Sequence, residues 1–336
     1  MPDCDTNGVW TDILCCPQCY GPLELVVNEL PNRQSLRCGD CGAEFDGIAG
    51  KFDFTTAKGE MELEQYHYEQ KYMSRAASLS TQFDPEQRSR RWADPHYPEC
   101  GLILDRLGDL NAKTVLCLGN GASTKELHFL ILGGRLILSD LSIDGVLAAK
   151  STYNLRELAS RVVFHAMDAC RIPLRNNSVD VVYGYEFVHH LPDLDAFFRE
   201  VHRVLKPGGL CIFSDYAYSP IWQAAKRTFL WPVMRLSHLL HRISPEDTRA
   251  TYAGGYKVCI LQDLASRHGL SKGFFDRTSF FHYLFTRGIG SLFGWKLPRI
   301  CYRIPSAIGR SMDKLLTDRF NFLRRNKMVM VWGFRK

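Results

Sequence analysis

The sequence predicts an α/β fold: a mostly parallel sheet with helices on both faces, a small metal-bound module before it and insertions in its last third. Three observations predict it. Short apolar runs at Thr114–Leu118, Arg135–Ser139, Val162–His165, Val179–Tyr183 and Leu210–Ser214 alternate with stretches of helical spacing. A glycine-bearing turn, Gly119-Asn120-Gly121, joins the first run to a helical stretch. Two Cys-x-x-Cys pairs stand near the start of the chain.

The cysteine pairs are Cys16-Pro-Gln-Cys19 and Cys38-Gly-Asp-Cys41, with 18 residues between them. Two residues between cysteines let both sulfurs reach one ion from a tight turn. Two such turns supply the four ligands of a tetrahedral structural Zn²⁺ site. Four protein sulfurs leave no open coordination position, so the expected ion stabilises rather than reacts. Cys15 abuts Cys16, and the Cys-Pro-x-Cys turn favours Cys16 as the ligand. Leu23–Val27 and the segment around Phe45 read as ribbon strands. The module is placed at 1–54.

A helical linker or lid at 55–100 follows. Met61–Ala77 reads as helix, and Asp84-Pro85, Asp94-Pro95 and Tyr97-Pro98 punctuate what comes next. Its frequent aromatics suit packing on the next domain or a pocket wall. Gly101–Leu110 reads as a helix leading into the third unit, 101–336. There, Thr124–Leu132, Ile143–Leu158, Leu194–Val204 and Lys257–His268 are the expected helices. Lys206-Pro207-Gly208-Gly209 is read as a turn, Gly273–Tyr283 as a Phe-rich strand and Lys327–Phe334 as the last strand. Insertions are placed at about 216–256 and 284–326.

Composition sets the outer limits. With 336 residues, 46% hydrophobic, the chain has ample material for a core and is not a disordered polymer. Twelve cysteines in this length are too few for a disulfide scaffold. The net charge of +6 is unevenly spread. Residues 1–60 hold 4 Lys/Arg against 10 Asp/Glu, whereas residues 217–336 hold 21 against 6. The start has no basic segment leading into an apolar run, so a cytoplasmic setting is expected. The basic last third suits a lid over a bulky or anionic substrate, a peripheral membrane surface or an RNA contact.

The ordered set Gly119-Asn120-Gly121, Ser139-Asp140, Met167-Asp168-Ala169, His189-His190-Leu191 and Leu205-Lys206-Pro207-Gly208-Gly209 resembles the class I S-adenosylmethionine-dependent methyltransferases. The likeness is closest to the group that includes the ubiquinone and menaquinone methyltransferases. It covers roughly residues 100–283 and a final strand, and it implies a Rossmann-like sheet of seven strands. It also implies S-adenosyl-L-methionine as cofactor. Gly119, Asn120 and Gly121 would cradle its methionine and ribose part. Asp140, with Leu141 beside it, would meet the ribose hydroxyls, and Asp168 and Ala169 the adenine. Tyr185 would line the cofactor and substrate side. The family usually has an acid where Cys117 stands and glycine where Ser123 stands.

Methyl transfer to a hydroxyl or an acidic carbon is helped by a general base. His189 and His190 are the candidates, because imidazole titrates near neutrality. Glu186 is a third candidate, for orienting substrate or cofactor. Asp215 and Tyr216 fall just past the fifth strand, another substrate-facing position. No Asn/Asp-Pro-Pro-Tyr segment follows the fourth strand, which argues against methylation of adenine amino groups in nucleic acid. A small-molecule acceptor, methylated on oxygen or carbon, is the expected substrate. RNA methylation and a non-catalytic scaffold role are the alternatives. A NAD-binding reading is weaker, because the turn lacks the full GxGxxG spacing.

Overall fold

The computed structural model describes residues 11–27, 33–48, 51–55, 92, 97–121, 125–152, 159–225, 255–292, 300–317 and 319–336. The expected helix at 61–77, most of the linker and residues 226–254 of the first insertion lie outside these.

Two sheets carry the fold. The first is an antiparallel meander of β1 (Leu23–Val27), β2 (Arg33–Cys38), β3 (Glu44–Ile48) and β4 (Lys51–Phe52). The second comprises β5 (Thr114–Leu118), β6 (Arg135–Asp140), β7 (Val162–Ala166), β8 (Val179–Tyr185), β9 (Leu205–Tyr216), β10 (Ser271–Thr278) and β11 (Val329–Arg335). Its spatial order is β10-β11-β9-β8-β5-β6-β7. The five strands β9, β8, β5, β6 and β7 run parallel; β11 pairs antiparallel with β9 and β10 antiparallel with β11, so β11 alone runs against the rest. The chain moves outward from β5 to β7, then crosses back to β8, so the order reverses between β5 and β8. Such a switch point is where open α/β sheets bind ligands, at the carboxyl ends of the strands.

The helices are α1 (Pro98–Leu107), α2 (Leu127–Ile131), α3 (Ile143–Thr152), α4 (Leu194–Val204), α5 (Pro220–Ala225), α6 (Val258–Arg267), α7 (Phe281–Leu292), α8 (Ile300–Met312) and α9 (Asn321–Arg324). Alternation along the strands divides the core in two. Leu116, Leu118, Val182 and Phe213 face one side with Phe197 and Val201 of α4. Val115, Cys117, Val181 and Ile212 face the other with Ile103 of α1 and Phe129 of α2. Strands buried on both faces read as continuous apolar runs, which is why these were legible.

The cysteine-bearing sheet shares the first of these cores. Leu14, Leu36, Phe45, Phe52 and Phe54 are buried in one cluster with Met167, Ile172 and Leu174. Cys15 N–H donates to Pro173 O (3.0 Å) and Arg175 N–H to Ile13 O (2.8 Å). Phe54 N–H donates to Ala166 O (2.9 Å), so the chain after β4 runs along the outer edge of β7.

A buried ion pair fastens this junction. Glu200, on α4, accepts from Tyr20 Oη (3.0 Å), Ile172 N–H (2.9 Å) and the Arg203 guanidinium (2.7 Å). Arg203 also donates to Ile172 O (2.6 Å) and lies over the Tyr20 ring at 4.4 Å.

Two expectations change. Lys206–Gly209 is a bulge inside β9 rather than a turn before it. Val179 pairs with Leu205 and Val181 with Leu210, so the intervening residues loop out opposite Asp180. Gly208 takes φ +79° there, and Lys206 Nζ bonds Asp180 Oδ2 at 2.8 Å. The Phe-rich strand stops at Thr278, and α7 begins at Phe281. The Asp313 carboxylate accepts the N–H groups of Phe280, Phe281 and His282 (2.9–3.0 Å), capping α7 from 31–33 residues away. Local composition carries no trace of such a cap. The insertion after Leu284 is helical in its described part. Here α8 packs tightly on α7, since a Cβ on Gly309 would lie 2.6 Å from His282 Cα.

Candidate active site and cysteine cluster

The loops after β5, β6, β7, β8 and β9 meet at the carboxyl edge of the sheet. Gly119 ends β5 with φ +63° and Gly121 takes φ +53°, a region that glycine enters without a Cβ penalty. Gly119 also has a packing reason. A Cβ there would lie 2.5 Å from Phe187 Cβ, so the glycine makes room for the loop after β8. Gly184 serves the same ring, since its Cβ would meet Phe187 Cδ1 at 2.5 Å. The two strands flanking the switch point are thus locked together through Phe187.

Asp140 organises the turn. Its Oδ2 accepts Gly121 N–H (2.7 Å) and its Oδ1 accepts Ser142 N–H (3.0 Å). Asn120 N–H donates to Ser139 O (2.8 Å), and Asn120 Nδ2 to Gly121 O (3.1 Å). Burial raises the Asp140 carboxyl above the usual carboxylate range, against the pull of those N–H groups. A carboxylate offers about four acceptor sites, so these backbone bonds leave capacity for a hydroxyl. Leu141 follows, half-buried. Asp168, past β7, is also buried and raised by burial; its Oδ1 accepts Cys170 N–H (2.7 Å). Ala169 beside it belongs to the core.

After β8, Tyr185 Oη donates to Glu99 Oε1 (2.5 Å), and Lys125 Nζ sits 3.1 Å from the centre of the Tyr185 ring. Glu99 is a buried carboxylate of α1 that the sequence reading did not single out. Trp92 Nε1 donates to Lys125 O (2.6 Å), which ties the linker to the same wall. Glu186 adopts φ +52° and donates its N–H to Ser214 O (2.8 Å). It enters the site through a left-handed backbone that points the chain into the following loop.

His189 and His190 lie side by side, ring centres 4.1 Å apart. His189 Nδ1 is 2.7 Å from Asp215 Oδ1, and His189 N–H donates to Asp215 Oδ2 (3.1 Å). Both side chains are buried. Tyr216 N–H also donates to Asp215 Oδ1 (2.8 Å), and its ring packs 5.2 Å from His189. A carboxylate acceptor at Nδ1 selects the tautomer that carries its proton there and leaves the lone pair on Nε2. Asp215 was read as a substrate-facing residue just past the fifth strand, but it and Tyr216 are the last two residues of β9. The separation of 26 positions from His189 hid the pair.

The four cysteine sulfurs of Cys16, Cys19, Cys38 and Cys41 all lie within 4.8 Å of one another. Cys16–Cys41 is 3.7 Å and Cys19–Cys38 is 3.4 Å. Sulfurs about 2.3 Å from a tetrahedral ion stand about 3.8 Å apart, so the cluster has the dimensions of an S₄ metal site. Gln18 N–H points at Cys16 Sγ (3.4 Å). Burial pushes Cys38 up, but the N–H groups of Cys41 and Asp40, together with hydrogen bonds from the Cys19 and Cys41 thiols, hold it down to about 7. Cys15 stands outside the cluster, in the junction with α4, where burial pushes its thiol up to about 11.

Residues 116–213, from β5 to the end of the β9 core, match the family model described as "Methyltransferase domain". The chain contains a class I methyltransferase domain. Among curated proteins, the methyltransferase domain is similar to the 27-O-demethylrifamycin SV methyltransferase of Amycolatopsis mediterranei. That match is 39% identical over 64 residues, 19% of this chain and 24% of that protein. It is also similar to the demethylmenaquinone methyltransferase of Lactococcus lactis, 33% identical over 138 residues, 39% of this chain and 54% of that protein. The chain therefore spans about half or less of these relatives' length. Among solved structures, the Haemonchus contortus phosphoethanolamine N-methyltransferase 2 in complex with S-adenosyl-L-methionine aligns with a TM-score of 0.47 at 14% identity. The alignment covers 87% of this chain and 62% of that one.

Proposed function

We propose that the chain transfers a methyl group from S-adenosyl-L-methionine to a small-molecule acceptor, at oxygen or carbon. The observation that carries this reading is the juxtaposition, at one sheet edge, of the Asp140 turn and the buried His189–Asp215 pair. The named relatives, which act on a rifamycin and a menaquinone precursor, support it.

When bound, the cofactor supplies a methyl group on a sulfonium, open to in-line displacement. Asp140 would receive the ribose hydroxyls on the lone pairs that Gly121 and Ser142 leave free. Asp168, with the Ala169 backbone, would receive the adenine amino group, and Tyr185 would wall the pocket. Asp215 holds His189 in one tautomer, and His189 Nε2 takes the proton that the acceptor loses. His190 packs against that imidazole and Glu186 shapes the loop. In this reading Cys16, Cys19, Cys38 and Cys41 hold a structural Zn²⁺, which completes the junction core and takes no part in the reaction.

Calorimetric titration with S-adenosylmethionine and S-adenosylhomocysteine tests the core of the proposal. The wild-type chain should bind both. Asp140→Ala should bind about ten- to a hundredfold more weakly, the loss of one or two hydrogen bonds to a charged group. Absence of binding to the wild type would remove the enzyme reading and leave a scaffold. Labelled methyl transferred to an RNA pool, and none to a lipid-soluble or phenolic extract, would overturn the small-molecule acceptor.

A further inference from the structure

The helical segment that ends the second insertion has an outward face of the wrong chemistry for water. In α8, Ser306 and Gly309 turn inward: Ser306 Oγ lies 3.2 Å from His282 Nδ1, and Gly309 abuts the His282 backbone. At about 100° per residue, Ile304 and Ile308 fall about 40° apart and roughly opposite these two. Both are exposed, at 72% and 50%. Leu315, Phe320 and Phe322 follow at 68%, 52% and 66%. Elsewhere among the described residues, exposed large apolar side chains are scattered and run from 37% to 54%. A concentration of this kind marks a contact surface.

Its charge says which kind. Residues 284–326 carry nine Lys/Arg and two Asp. One of the two, Asp313, is turned inward and spent on the first N–H groups of α7. Arg303, Lys314, Arg319 and Arg324 are exposed and alternate along the chain with the apolar residues. Aliphatic and phenyl groups between cations match the boundary between phosphate headgroups and acyl chains. A nucleic acid would use the cations and leave the isoleucines unexplained. No described helix is long and apolar enough to cross a membrane, so the contact is one of lying on the surface.

We infer that Ile304, Ile308, Leu315, Phe320 and Phe322, with the cations between them, form a docking surface for an anionic lipid bilayer. The inference is independent of methyl transfer, and its test reads no activity. The full chain is sedimented with phosphatidylcholine vesicles, alone or containing about one third phosphatidylglycerol. The wild type should pellet with the anionic vesicles and be released by salt. Ile304→Glu/Phe322→Glu should lower the partition coefficient at least about tenfold with the unfolding midpoint unchanged. Should that pair fail to fold, Leu315→Ser and Lys314→Glu, both at exposed positions, should each weaken pelleting severalfold. Three results would overturn the inference: wild type left in the supernatant with anionic vesicles, pelleting undiminished in all these variants, or a wild-type dimer in ultracentrifugation that the variants dissolve while vesicle pelleting is unaltered.

Discussion

Acid should loosen the joint between the cysteine-bearing sheet and the methyltransferase domain through one histidine. His165, on β7, is 3% exposed. It stacks on Phe52 at 6.0 Å and meets Phe54 edge-on at 5.8 Å. Its Nδ1 accepts the Phe52 N–H (3.3 Å), a bond that only an unprotonated nitrogen can receive. Burial lowers it from an ordinary 6.5 to about 4. Between those values the unfolded chain holds a proton that the folded chain does not, so stability falls as pH falls through this window. The full difference is about 3 kcal/mol, and about 2 kcal/mol of it is lost between about pH 7 and about pH 5. Urea unfolding at the two pH values measures this, with His165→Asn as the reference. Asparagine keeps an acceptor near the Nδ1 position and cannot titrate, and cysteine protonation is common to both proteins. The variant should be less stable at neutral pH but lose about 2 kcal/mol less on acidification. Equal losses in the two proteins would refute the assignment.

Glu200→Ala leaves the Arg203 guanidinium in the same junction without its partner and should cost about 3 kcal/mol in urea unfolding. Metal analysis should find about one zinc per chain, and Cys38→Ser should remove it. Because the cluster shares a core with Leu174 and Phe197, the melting temperature of the methyltransferase domain should fall with the metal. Asp215→Asn lets His189 take the wrong tautomer. It should lower kcat about a hundredfold or more in steady-state assays, with KM for the cofactor little changed.

Reading the chain as strands and helices succeeded where burial is two-sided and continuous, as in Thr114–Leu118 and Val179–Tyr183. It slipped where a residue's partner was distant. Phe281 and Tyr283 look like strand residues until Asp313 caps the helix they begin. Lys206–Gly209 looks like a turn until β8 accepts Leu205 and Leu210 on either side of it.

The sequence by itself determined the order of the parallel strands' glycine turn and acids, and the four cysteines, because those features repeat within a few residues and local backbone geometry dictates them. The tertiary structure alone decided what surrounds them. It brought Asp215 to His189, Glu99 to Tyr185, Tyr20 to Glu200 and His165 to Phe52, pairs separated by 26, 86, 180 and 113 residues. No local pattern encodes such meetings. They form when two faces exclude water together, and each buried polar group must then find a partner from whatever segment arrives.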